Sequence, residues 1–130
     1  MRFIPTKVHG ILDYMMGILL IASPWLLDFE DGGAKQWVPV ILGAAAIIYS
    51  LMTDYELGAI KLISMPKHLM LDLMSGILLA ASPWIFGFAD EIYLPHLVLG
   101  IVEIDASLMT KNEPEHSAHR TGNHRTAASH

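Results

Sequence analysis

Cysteine is absent from the 130 residues, which excludes disulfides and thiol chemistry. Charge is scarce: 16% of the chain is Asp, Glu, Lys or Arg, against 53% hydrophobic residues and a mean hydropathy of +0.44. A polar stripe is also missing where a soluble bundle needs one, since 41–50 (ILGAAAIIYS) and 76–81 (GILLAA) are apolar all round. No nucleophile elbow, phosphate loop or paired zinc helix occurs. The His-x3-Asp spacing also differs from the His-x4-Asp pattern of membrane glycerolipid acyltransferases, so no catalytic residue is expected.

What the chain has instead is repetition. His9 to Phe29 (HGILDYMMGILLIASPWLLDF) recurs as His68 to Phe88 (HLMLDLMSGILLAASPWIFGF). His9, Leu12, Asp13, Met15, Gly17, Ile18, Leu19, Leu20, Ala22, Ser23, Pro24, Trp25 and Phe29 all reappear at the second site. A looser echo follows, with Val38, Pro39, Leu42, Gly43, Ser50, Leu51, Met52 and Thr53 answered by Leu94, Pro95, Leu99, Gly100, Ser107, Leu108, Met109 and Thr110. A duplicated unit folds as a duplicated structure.

Apolar runs of roughly 18 residues or more read as bilayer spans, because about 20 residues cross a hydrocarbon core of about 30 Å. Four segments reach or approach that length: Val8 to Leu27, Trp37 to Met52, Pro66 to Phe88 and Tyr93 to Met109. The second and fourth are short and suit a thin or tilted bundle. The expected fold is therefore an all-α membrane protein with four transmembrane helices built from two tandem two-helix repeats. Its parts are an N-terminus (1–7), a first repeat (8–53), a connection (54–65) that reads as amphipathic, a second repeat (66–109) and a disordered tail (110–130). Arg2 and Lys7 ahead of Ile11 to Ala22 imitate a secretory leader. The internal copy, Asp13 and Pro24 argue for a retained first span.

Arg2, Lys7, Lys61, Lys67, Lys111, Arg120 and Arg125 fall on one side of this topology, and Lys35 alone on the other. Basic residues stay on the cytoplasmic side, so both termini are expected inside the cell membrane. Each repeat starts and ends inside, which relates the copies by a pseudo-twofold axis along the membrane normal.

Ser23-Pro24-Trp25 and Ser82-Pro83-Trp84 would lie near the outer interface. Proline ends or kinks a helix, the serine hydroxyl can satisfy a released carbonyl, and an indole favours the headgroup belt. With both tripeptides intact over about Val8 to Met109, the chain resembles the SPW-repeat family of small prokaryotic membrane proteins. The resemblance implies a membrane location and a two-helix repeat, with no established reaction. The tripeptides are read as a structural kink with an interfacial anchor.

His9 and Asp13 stand four residues apart, as do His68 and Asp72, and Gly17 and Gly76 extend each row. That spacing gathers each set on one helix face. An ionisable group facing lipid costs roughly 2.5 to 3.5 kcal/mol even on permissive insertion scales, so these faces should turn inward. The fourth span adds His96, Glu103 and Asp105, the last two standing where the first copy has Ala46 and Ile48. His9, Asp13, His68, Asp72, Glu103 and Asp105 thus form a candidate intramembrane polar cluster, although Glu103 and Asp105 differ by about 200° around a helix.

A structural or partner-binding, non-enzymatic role without a cofactor is the leading expectation. One alternative is a proton, ion or solute carrier using the intramembrane carboxylates; another is haem or metal ligation by His9 and His68. The methionines, notably Met15, Met16, Met70 and Met74, read as flexible filler rather than soft-metal ligands. The expected partners are the bilayer and a second copy or another membrane protein, not nucleic acid. His116, His119, His124 and His130 enrich the polar tail without making it a metal sensor.

Overall fold

A computed structural model describes residues 2–111. Four helices follow in order: α1 (Thr6–Leu26), α2 (Ala34–Leu51), α3 (Met65–Ile85) and α4 (Leu94–Met109). α1, α2 and α3 are long and apolar enough to cross a membrane. α4 has 16 residues and rises about 24 Å. Side chains such as Ile18, Ile41, Met74, Ile77 and Val98 lie exposed on the outer surface of the bundle, as a lipid-facing surface requires.

Packing follows the small residues. α1 lies along α2, and α3 along α4, as two helical hairpins, with α2 also packed on α3. At each hairpin crossing two glycines face one another: a Cβ on Gly43 would lie 2.6 Å from the Gly17 carbonyl oxygen, and one on Gly100 2.7 Å from that of Gly76. Only hydrogen side chains permit that backbone approach.

The positions buried along α1 and α3 correspond. His9, Asp13, Gly17, Leu20, Ser23 and Pro24 are buried in one, and His68, Asp72, Gly76, Leu79, Ser82 and Pro83 in the other. Both helices continue through their proline and end within the next few residues, at Leu26 and Ile85. Pro24 cannot donate to the Leu20 carbonyl, and Ser23 Oγ donates to it instead at 2.9 Å. Ser82 Oγ serves Leu79 in the same way at 2.7 Å. Trp25 and Trp84 are more than half exposed just before the loops. Those loops turn through Asp28 (φ 60°) and Gly87 (φ 77°), which occupy matching positions. Phe29 and Phe88 tuck back under the turns and flank His96, at ring-centroid distances of 5.1 and 4.8 Å.

At the opposite end, short extended segments close the bundle. Ile4 pairs with Thr110, and Thr53 with Ile63, as isolated parallel bridges at corresponding places in the two copies. Arg2 donates to the carbonyls of Ser107 and Thr110, at 3.1 and 2.7 Å. Thr110 and Lys111 therefore belong to the fold and not to the tail, because Thr110 is fully buried and the Lys111 amide donates to the Ile4 carbonyl. The connection after α2 carries an inward side, the fully buried Tyr55 against Met65 and Leu69, and an outward one with Ile60 and Leu62 exposed. The tail histidines His116, His119, His124 and His130 lie outside the described residues.

Candidate functional site

The inward faces of α1 and α3 meet near this closed end. His9 and His68 are fully buried, Asp72 likewise, and Asp13 is 5% exposed. The i, i+4 spacing brings each histidine to its own aspartate, at 3.1 Å for His9–Asp13 and 3.3 Å for His68–Asp72. The shorter contacts cross between the copies: His9 Nε2 to Asp72 Oδ2 and His68 Nε2 to Asp13 Oδ2, each 2.6 Å. The four ligand-capable atoms lie within 4.8 Å of one another. The imidazole rings stand edge-on, centroids 5.6 Å apart and planes at 80°.

The other ring nitrogens are held just as symmetrically. His9 Nδ1 lies 2.7 Å from Thr110 Oγ1, and His68 Nδ1 2.8 Å from Thr53 Oγ1. Each threonine hydroxyl donates its single proton to a carbonyl one turn back, Ala106 for Thr110 and Tyr49 for Thr53, both at 2.6 Å. A hydroxyl that has given up its proton can only accept, so the network assigns the imidazole proton to Nδ1 in both rings. Both Nε2 atoms therefore turn toward the carboxylates, where a positive charge must lie between them: a proton on each, or one cation shared by all four.

Two further groups complete the surroundings, and they break the symmetry. Tyr49 Oη donates to Asp72 Oδ1. Glu103 is 5% exposed, and its Oε2 has no hydrogen-bond partner among the described residues. Asp105 is exposed on the opposite face of α4 and does not join the cluster, since one helix cannot turn both carboxylates to one point. His96 is buried elsewhere, near the α1–α2 and α3–α4 loops, where its Nε2–H donates to the Lys35 carbonyl at 2.8 Å. The geometry also argues against haem between His9 and His68, because Asp13 and Asp72 occupy the space that a macrocycle needs.

Thr53, Thr110 and Tyr49 are the participants that the helix-face pattern of α1 and α3 does not reveal. The two threonines were visible in the sequence as a matched pair in the looser second halves; Tyr49 has no such counterpart.

No curated protein and no solved structure matches the chain. The SPW repeat domain family matches residues 7–110, which takes in all four helices from Lys7 onward, the quartet of His9, Asp13, His68 and Asp72, and both threonines bonded to its histidines. The chain belongs to the SPW repeat family and is a membrane protein.

Proposed function

We propose that this is a four-span protein of two parallel repeats, with both termini in the cytoplasm, whose quartet holds one divalent first-row transition-metal ion that ties the repeats together. The role is structural rather than enzymatic. At about 24 Å, α4 serves as the short fourth span, with the bilayer thinned around it and its flanking residues reaching the interface. The basic residues at the closed end, against Lys35 alone among the outer loops and helix starts, support the orientation.

The observation that carries the metal reading is the fixed tautomer. Two imidazoles locked through Nδ1–H to threonine present Nε2 toward two carboxylate oxygens, and ligating histidines are held in this way by outer-shell partners. Two aspartates balance one divalent charge, so the loaded centre is neutral in a setting that penalises net charge. A tetrahedral ion with bonds of about 2.0–2.1 Å sets its ligands about 3.3 Å apart. The two 2.6 Å contacts must open by a fraction of an ångström, the 3.1 and 3.3 Å contacts already suit it, and pairs toward the 4.8 Å limit of the group must draw in. Two nitrogen and two oxygen donors without a thiolate favour zinc or its divalent neighbours over copper(I). Four protein ligands close the coordination sphere, as in structural rather than catalytic sites. Without the ion, one proton between each Nε2 and its cross-copy carboxylate keeps the same neutrality.

Zinc titration of the full chain in detergent, against a chromophoric chelator, tests this reading. Thr53→Val with Thr110→Val removes the two acceptors without changing side-chain shape, and should weaken zinc binding by about 10–100-fold while helicity is retained. Absence of zinc binding in the unaltered protein, or an unchanged affinity in the double variant, would count against it.

A further inference from the structure

The symmetry of the quartet fails at one place, and a cleft lies there. The second-half echo pairs Ser50 with Ser107 and Thr53 with Thr110, so Tyr49 corresponds to Ala106 and Ala46 to Glu103. The carbonyls confirm the match, since Thr53 donates to Tyr49 and Thr110 to Ala106. In the first copy the Tyr49 phenol fills the seam between α2 and α3 and donates to Asp72. In the second copy the seam between α4 and α1 has only a methyl group at that position. α4 stands off α1 where α2 packs on α3.

The resulting cleft has a volume of about 250 Å³ and is lined by Asp13, Met15, Met16, Val102, Glu103 and Ala106 among others. Its wall is apolar except for the two carboxylates. Asp13 meets both histidines through Oδ2, which leaves Oδ1 for another donor. The buried Glu103 Oε2, which has no partner among the described residues, gives independent support as an acceptor that a ligand hydroxyl can satisfy. Met15, Leu12 and Val102 at the rim are exposed on the outer surface, so the cleft opens sideways toward lipid. A second, wholly apolar cleft of about 360 Å³ continues along the same seam, with Leu19 shared between the two.

We propose that this seam binds a lipid-soluble phenol: an aromatic hydroxyl head that takes the place of the missing tyrosine and donates to Asp13 or Glu103, with an apolar tail along Leu19 toward Val98. The lower cleft is smaller than the roughly 300–1,000 Å³ of drug-sized sites, which limits the head to a single ring. Recognition of a hydroxyl by buried acceptors discriminates against the analogue that lacks it. The inference does not depend on whether protons or a metal ion occupy the quartet.

The test uses the full chain in detergent with methyl-labelled methionine. Met15 and Met16 report on the cleft, while Met70 and Met74 on α3 serve as internal controls. Titration with 4-hexylphenol should shift the Met15 and Met16 signals saturably and leave Met74 in place, and hexylbenzene should bind at least tenfold more weakly. Ala106→Tyr, which supplies the phenol covalently, should abolish binding. Should that variant fail to fold, Ala106→Val narrows the same cleft and should weaken binding. Equal affinity for hexylbenzene would mean that the seam takes apolar chains only and would overturn the proposal. Undiminished 4-hexylphenol binding in a folded Ala106 variant would overturn it too.

Discussion

Asp72→Ala is expected to destabilise the protein by about 3–5 kcal/mol, the cost of removing one partner from a buried ion pair. The loss is not confined to one contact. Asp72 Oδ2 faces His9 Nε2 at 2.6 Å and His68 Nε2 at 3.3 Å, and Oδ1 accepts from Tyr49. Truncation leaves the half-buried Tyr49 hydroxyl without its acceptor and two imidazoles converging on Asp13 alone. Asp13→Ala should cost less, because Asp13 serves the two imidazoles alone and has no counterpart of the Tyr49 hydrogen bond that Asp72 accepts. Asp90→Ala, in an exposed loop, supplies the reference and should stay within about 0.5 kcal/mol. Reversible unfolding in mixed detergent micelles gives all three values. An Asp72→Ala protein as stable as Asp90→Ala would mean that the quartet does not hold the copies together.

The second large effect is a reversal of sign at the helix crossings. Glycine to alanine in a free helix interior stabilises by about 1 kcal/mol. At Gly100 the new Cβ would sit 2.6 Å from the Ala80 amide nitrogen and 2.7 Å from the Gly76 carbonyl oxygen, and backbone cannot step aside. At Gly43 it would meet the Gly17 carbonyl oxygen at 2.6 Å. Each substitution should therefore destabilise by about 1–3 kcal/mol in spite of the better helix propensity. The two sites lie in different hairpins, so the double variant should lose roughly the sum. A stabilised Gly100→Ala protein would show that α3 and α4 are not in backbone contact there.

Much of this arrangement was legible in the residues, and the parts that were not share a physical reason. The histidine and aspartate rows, the inward turn of their faces and the serine that serves the proline-released carbonyl all follow from periodicity within one helix. The crosswise pairing of His9 with Asp72 and His68 with Asp13 does not, because i, i+4 spacing sets which residues share a face and says nothing about what lies opposite. Thr53 and Thr110 belong to the site through contacts 15 and 101 residues away in sequence. Their retention in the loosely matching halves was the available signal. Glu103 and Asp105 looked alike as departures from the first copy, yet helix phase buries one and exposes the other. Tyr49 against Ala106 gains meaning only once the seams are compared, where one is filled and the other is open.

The most direct measurement is X-ray absorption on protein purified without chelators, with metal content determined on the same preparation. One zinc-like ion per chain, with a first shell of two imidazole nitrogens and two carboxylate oxygens at about 2.0–2.1 Å, is the expected result. Protein that carries no stoichiometric metal and takes up none on reconstitution, or a bound ion whose first shell lacks imidazole, would contradict a metal centre on His9, Asp13, His68 and Asp72.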